Sequence, residues 1–195
     1  MDGVLVKSED AWFHVLEDAG RAFRGRAVTR EEFAPTFGQG TAADVGVFGF
    51  DCTREALDVF YVEHFTKYLQ HVWVNPEARG LLDTLAARGV GCAVTTNTVT
   101  PLARTLLEGA HLLDRFVAVV GADQVAHSKP APDLLERGLT LLGARAPDAL
   151  MIGDSRFDRE AAAAAGIRFV GLGIDGDFRI DQLGALVTLP PLGGR

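Results

Sequence analysis

Cysteine is scarce: the 195 residues hold two, Cys52 and Cys92. Neither has a partner at metal-ligand spacing, so both read as buried free thiols, and a disulfide framework or a zinc site is set aside. Long apolar runs are missing too. The longest, 90–95 and 116–120, fall far short of the roughly 20 residues needed to cross a bilayer, which excludes a membrane span. No stretch gathers Lys and Arg on one face. With 19 basic against 26 acidic residues the net charge is −7, so nucleic acid is not an expected partner. The opening Met1-Asp2-Gly3-Val4-Leu5-Val6-Lys7-Ser8 has no basic segment followed by an apolar one; a secretory signal is not expected, and a cytoplasmic location is. Repeats and low-complexity tracts are absent, and Pro190 to Arg195 read as a disordered tail.

What is present is enough apolar material, 48% of residues, to bury one core of ordinary size carrying a modest insertion. The second half alternates strand and helix signals. Apolar β-rich runs at Val90–Thr95, Phe116–Val120, Ala149–Ile152 and Ile167–Leu172 are separated by helical patterns, which predicts an α/β fold with a parallel sheet. Asn75-Pro76 opens one helix that Gly89 closes, Pro101 starts another, and Gly143 and Gly166 stand where C-terminal caps belong.

From about Ser8 to Gln70 the periodic segments are helical. Trp12, Val15, Leu16 and Ala19 recur at helical spacing before Gly20, and Thr29 with Glu32 forms a capping-box pattern ahead of a stop at Pro35. A longer helix carries Leu57, Phe60, Tyr61, His64, Phe65, Tyr68 and Leu69 as an apolar stripe, whose aromatic residues read as core rather than as a stacking platform. The expected organisation is a core of residues 1–7 and 72–195 with a helical insertion over 8–71.

Four short segments place polar residues at the ends of predicted strands, where open parallel sheets gather ligands. They are Met1-Asp2-Gly3-Val4, Val94-Thr95-Thr96-Asn97, Ser128-Lys129-Pro130, and Ile152-Gly153-Asp154-Ser155 with Asp158 beyond. Taken singly, each has a plain structural explanation: Asp154 or Asp158 can serve a helix start, Thr96-Asn97 a strand exit, Lys129 a loop. Their order and combination resemble the haloacid dehalogenase superfamily over essentially the whole chain, with Lys129-Pro130-Ala131-Pro132-Asp133 and Gly153-Asp154-Ser155 the more specific pieces.

The resemblance implies a Rossmann-like core, a helical C1 cap inserted after the first motif, and Mg²⁺-dependent hydrolysis of a small phosphorylated metabolite through an aspartyl-phosphate. Attack on a phosphate monoester brings two anions together, so a divalent cation and a lysine must neutralise charge. Carboxylates suit Mg²⁺, which prefers oxygen ligands and keeps several waters. By resemblance, Asp154 ligates the metal, Asp158 supports it directly or through water, and the main-chain carbonyl of Asp2 is another ligand. Lys129 pairs with phosphate and nucleophile, Thr96 donates its hydroxyl, and the amides of Gly3 and Asn97 donate to phosphate oxygens. Asp2 is the expected general acid/base.

In the family the nucleophilic Asp stands two positions before the residue matched by Asp2, one before Met1, and the apolar strand presenting it is likewise outside the sequence. An upstream start, a protein kept for binding without catalysis, and a substitute nucleophile each account for this. Phe37-Gly38-Gln39-Gly40-Thr41 is similar to a loop of phosphoglycolate phosphatase-like members, and equally reads as a turn opening a helix at Thr41. Lys7 stands where many relatives carry Asp, and is expected to attract an anionic substrate. Dehalogenases proper carry Asp-x-Tyr and are disfavoured by Asp2; a receiver domain needs neither the insertion nor the late Gly-Asp-Ser-x-x-x-Asp. A β-phosphoglucomutase-like mutase shares all four motifs and stays open.

Overall fold

The β-rich runs of the second half fold as parallel strands, none longer than its apolar run, in a computed structural model that describes residues 1–37 and 39–189. Gly38 of the glycine loop and the expected tail from Pro190 lie outside the described residues. At the junction between the two parts of the chain, β1 (Val6–Lys7) pairs antiparallel with β2 (Trp73–Val74). Further on, β3 (Ala93–Thr95) pairs parallel with β4 (Ala118–Val120), while β5 (Leu150–Gly153), β6 (Arg168–Leu172) and β7 (Phe178–Ile180) form a second parallel set in that order. Among the described residues no strand pairing joins β3 to β5. They approach through side chains instead, Thr95 Oγ1 lying 3.9 Å from Met151 Sδ.

Helices cover these strands where their inner faces are small or apolar. On α7 (Asp133–Leu142), Leu134, Leu135 and Gly138 point inward, with Gly138 so close to β3 that an added Cβ would lie 3.1 Å from Thr95 Cγ2. Alanines do the same for α8 (Arg156–Ala164), whose Ala161 and Ala162 are fully buried against Phe169 and Ile167. The helix expected after Asn75-Pro76 is α5 (Ala78–Ala87), and the one started by Pro101 is α6 (Thr100–Gly109), with Leu102, Ala103, Leu106 and Leu107 inside. Gly89, Gly143 and Gly166 each take the left-handed backbone expected of a helix end.

Between β1 and β2 lie the helices α1 (Glu9–Arg24), α2 (Arg30–Phe33), α3 (Thr41–Phe48) and α4 (Arg54–Phe65), then a 3-10 turn over Thr66–His71. The Thr29–Glu32 capping box forms in both directions. The expected stripe packs inward through Leu57, Tyr61 and Phe65, and Trp12 meets Tyr61 and Phe65 edge-on at 5.0 and 4.8 Å. Among the described residues no helix is long and apolar enough to cross a membrane.

Gly20 departs from its expected role, since α1 continues through it to Arg24. The reason is close packing: an added Cβ would stand 2.5 Å from the carbonyl oxygen of Arg26 as the chain folds back. Alanine in mid-helix gains up to about 1 kcal/mol over glycine. Backbone cannot swing aside as a side-chain tip can, and overpacking costs about 1–3 kcal/mol. Gly20→Ala is therefore expected to lower stability, read as a fall in the urea midpoint.

Candidate active site

Three turns and one loop converge at the C-terminal ends of β3 and β5. Asp2, Thr96, Asn97, Lys129, Asp154 and Asp158 line one cavity of about 140 Å³, closed from the cap by Trp12, Leu16, Phe33, Phe37, Gln39, Gly40, Asp44 and Tyr61. One water takes about 10–15 Å³ on this scale, so there is space for a compound of roughly ten heavy atoms.

Lys129 is the cavity's buried cation, 8% exposed. Its ammonium donates to Asp158 Oδ1 at 2.7 Å and to the Thr95 carbonyl at 3.2 Å. Asn97 holds the lysine's own backbone at both ends: Lys129 N–H donates to Asn97 Oδ1 at 2.9 Å, and Asn97 Nδ2 donates to the Lys129 carbonyl at 3.1 Å. Thr96 Oγ1 accepts from the Thr98 amide at 3.2 Å. A hydroxyl that accepts in this way keeps its own proton to donate.

Asp158 is tied into the core on both sides. Oδ1 accepts from Lys129, and Oδ2 accepts from the Ser155 hydroxyl at 2.7 Å while Ser155 Oγ caps the Asp158 amide, a capping box that starts α8. It thereby positions the Lys129 ammonium. Burial alone would raise its carboxyl, but the Lys129 ammonium, the Met1 amino group and the hydrogen bonds hold it below its ordinary value.

The two other carboxylates shift the opposite way. Burial raises Asp154, helped by the charge on Asp158, and burial raises Asp2 against the pull of the Met1 amino group, Ser8 and Lys129. Ser8 is fully buried and donates its hydroxyl to Asp2 Oδ1. It stood in the sequence as a boundary residue only; a buried serine six residues after a motif carboxylate carries no periodic signal. Gly3 packs directly beneath Asp154. Its backbone is left-handed at φ 73°, its amide donates to the Val6 carbonyl at 2.8 Å, and an added Cβ would fall 1.7 Å from Asp154 Oδ2.

No cluster of three or more His, Cys, Asp or Glu forms a ready ion cage among the described residues. Mg²⁺ does not require one, because it is commonly held by one or two carboxylates together with water and substrate phosphate. The Asp154 carboxylate, raised by burial and by the charge on Asp158, and the main-chain carbonyl of Asp2 are oxygen donors that fit that cation. Lys7 does not line the cavity; its ammonium sits over the Trp73 ring at 5.1 Å, on an adjoining groove.

A split parallel sheet whose strand ends carry polar side chains, with a helical insertion above and a lysine-aspartate pair at the bottom of the cavity, defines an α/β protein with a site suited to an anion. The sequence model of the haloacid dehalogenase-like hydrolases matches residues 1–172, and the chain belongs to that family. It is 35% identical over 182 residues to a phosphoglycolate phosphatase of Rhodospirillum rubrum, covering 87% of this chain and 76% of that protein. A Pectobacterium atrosepticum phosphoglycolate phosphatase is 40% identical over 124 residues, of which the match spans 50% of the relative's length and 62% of this chain. In fold, the chain resembles CbbY from Rhodobacter sphaeroides in complex with phosphate, at a TM-score of 0.82 and 20% identity over 95% of this chain and 93% of that one.

Opposite shifts give opposite pH signatures in metal-free protein. Asp154, raised on folding, destabilises the fold progressively as pH climbs from its unfolded to its folded value, so Asp154→Asn should raise the melting temperature near pH 7 in chelator, with the gain vanishing below about pH 4. Asp158, lowered on folding, stabilises above its unfolded value. Asp158→Asn should cost about 3–5 kcal/mol at neutral pH by leaving Lys129 buried without a partner, a difference that shrinks as acid drops through the folded value.

Proposed function

We propose that the protein hydrolyses a small phosphate monoester with Mg²⁺, through an aspartyl-phosphate on a carboxylate joined directly to the Met1 nitrogen. One observation carries the reading: Met1 lines the cavity together with Asp2, Lys129, Asp154 and Asp158. A residue attached there stands among those side chains, and the family pattern puts the nucleophile at that position.

In this reading Asp154, Asp2 and substrate oxygens hold the cation, which offsets charge on the phosphoryl group when bound. Lys129 neutralises the phosphoryl oxygens, and Thr96 and Asn97 orient them. Asp2 carries a proton more readily than a free carboxylate does, because burial raises it against the opposing pull of the Met1 amino group, the Ser8 hydrogen bond and Lys129. It protonates the leaving oxygen, then takes a proton from the water that opens the intermediate. The phosphoglycolate phosphatase names of the relatives support a phosphatase over other reactions of a phosphate-binding fold.

The test is release of inorganic phosphate by the protein with its natural residue ahead of Met1, from a panel containing 2-phosphoglycolate and simple alcohol phosphates. Turnover should require Mg²⁺, and Lys129→Ala should lower kcat by about 10²–10³. Absence of phosphate release from every member of the panel would sink the reading.

A further inference from the structure

The cap places one acidic side chain in the cavity, and no Lys, Arg or His of the cap lines it among the described residues. That residue is Asp44, in the first turn of α3 and 9% exposed. Its carboxylate is held rigidly: Tyr61 donates its hydroxyl to Oδ2 at 2.9 Å, and Gln39 Nε2 donates to Oδ1 at 3.0 Å. Gly40, which precedes α3, lies against Asn97 of the core, an added Cβ coming 3.7 Å from Asn97 Cβ. Asp44 is therefore presented from the cap wall by a loop that touches the phosphate side of the site.

A carboxylate has about four acceptor positions, and two of these are filled. The remaining capacity faces a cavity whose other cap walls combine apolar Trp12, Leu16, Phe33 and Phe37 with the uncharged polar Thr36, Gln39, Thr41 and Tyr61. Burial raises the Asp44 carboxyl to about 6, so it is anionic at neutral pH. A second anion on the substrate would meet this charge, with Lys129, the one basic side chain lining the cavity among the described residues, already engaged at the far end. A hydroxyl there would find an acceptor in fixed position.

We propose that Asp44 selects the leaving group, and that the substrate is the phosphate ester of a hydroxylated alcohol without a second anionic group, one hydroxyl of which donates to Asp44. This rests on the phosphate-site reading above, and it separates this chain from the substrate in its relatives' names.

Two ligands isolate the effect, since 2-hydroxyethyl phosphate and 2-phosphoglycolate differ only in carrying CH₂OH or carboxylate beside the phosphate-bearing carbon. Calorimetric titration of each, with Mg²⁺ present, reads binding without requiring turnover. Wild-type protein should bind the hydroxyl compound more tightly by about tenfold or more, because like charges in a buried site cost several kcal/mol. Asp44→Asn should shift the ratio of the two dissociation constants toward 2-phosphoglycolate by a similar factor. Equal binding of the two by wild type, preference for 2-phosphoglycolate, binding of neither, or an unchanged ratio in a folded Asp44→Asn would overturn the proposal. The wild-type ratio stands without any variant. Selective binding without phosphate release would sink the catalytic reading and leave this one in place.

Discussion

Everything at the bottom of the cavity is arranged around the buried pair of Lys129 and Asp158, 2.7 Å apart. A lone ammonium at that depth would be an uncompensated buried charge, and Asp158 supplies the counter-charge that holds the lysine in place. The pair also ties together segments far apart in the chain. Asp158 belongs to the capping box of α8, the lysine nitrogen reaches the end of β3 through the Thr95 carbonyl, and Asn97 grips the lysine's backbone. The cation is thus fixed by three elements whose relative positions are set by the parallel strands they follow.

Asp2 and Asp154 stand in contrast. Burial raises both, neither has a cationic side chain in hydrogen-bond contact, and the glycine beneath Asp154 admits it only because no Cβ is there. Such an arrangement costs stability, and folds keep it where function needs a carboxylate that is poorly satisfied by protein. One carboxylate of the site is therefore structural in its electrostatics and two are strained toward a ligand. Three aspartates close in the fold take two chemical roles because their partners differ.

Residues at strand ends were legible in the sequence because each follows an apolar run that announces its strand: Thr96 after β3, Asp154 after β5. The partner of Asp158 was not legible. Its position three residues after Ser155 reads as a helix cap or as a metal ligand, and the lysine that meets it arrives from another loop that no local pattern connects to it. β1 and β2 were missed because two-residue strands have no period to detect, and β7 because its three residues follow a turn-rich stretch. Gly20 misled for a related reason. A glycine's local meaning is a break, whereas its use here is a tertiary one, room for the returning backbone at Arg26.

Asp44 belongs to the same class of residue. Within its helix it is an ordinary acidic first-turn position, favoured by the dipole. Its chemistry arises from folding the cap onto the core, which buries it beside Tyr61 and turns it toward the cavity that Lys129 and Asp154 occupy from below. The two halves of the site accordingly read different parts of a ligand. The core supplies the lysine, the hydroxyl of Thr96 and the carboxylates, which the proposed reaction directs at a phosphoryl group; the cap supplies apolar and uncharged polar side chains and one carboxylate. Because no basic cap residue faces the cavity among the described residues, a phosphate held there would take its favourable charge from the core alone. The cap's electrostatic influence then falls on what the phosphate is attached to, and in the proposed reading the Asp44 carboxylate decides whether that group can carry a charge.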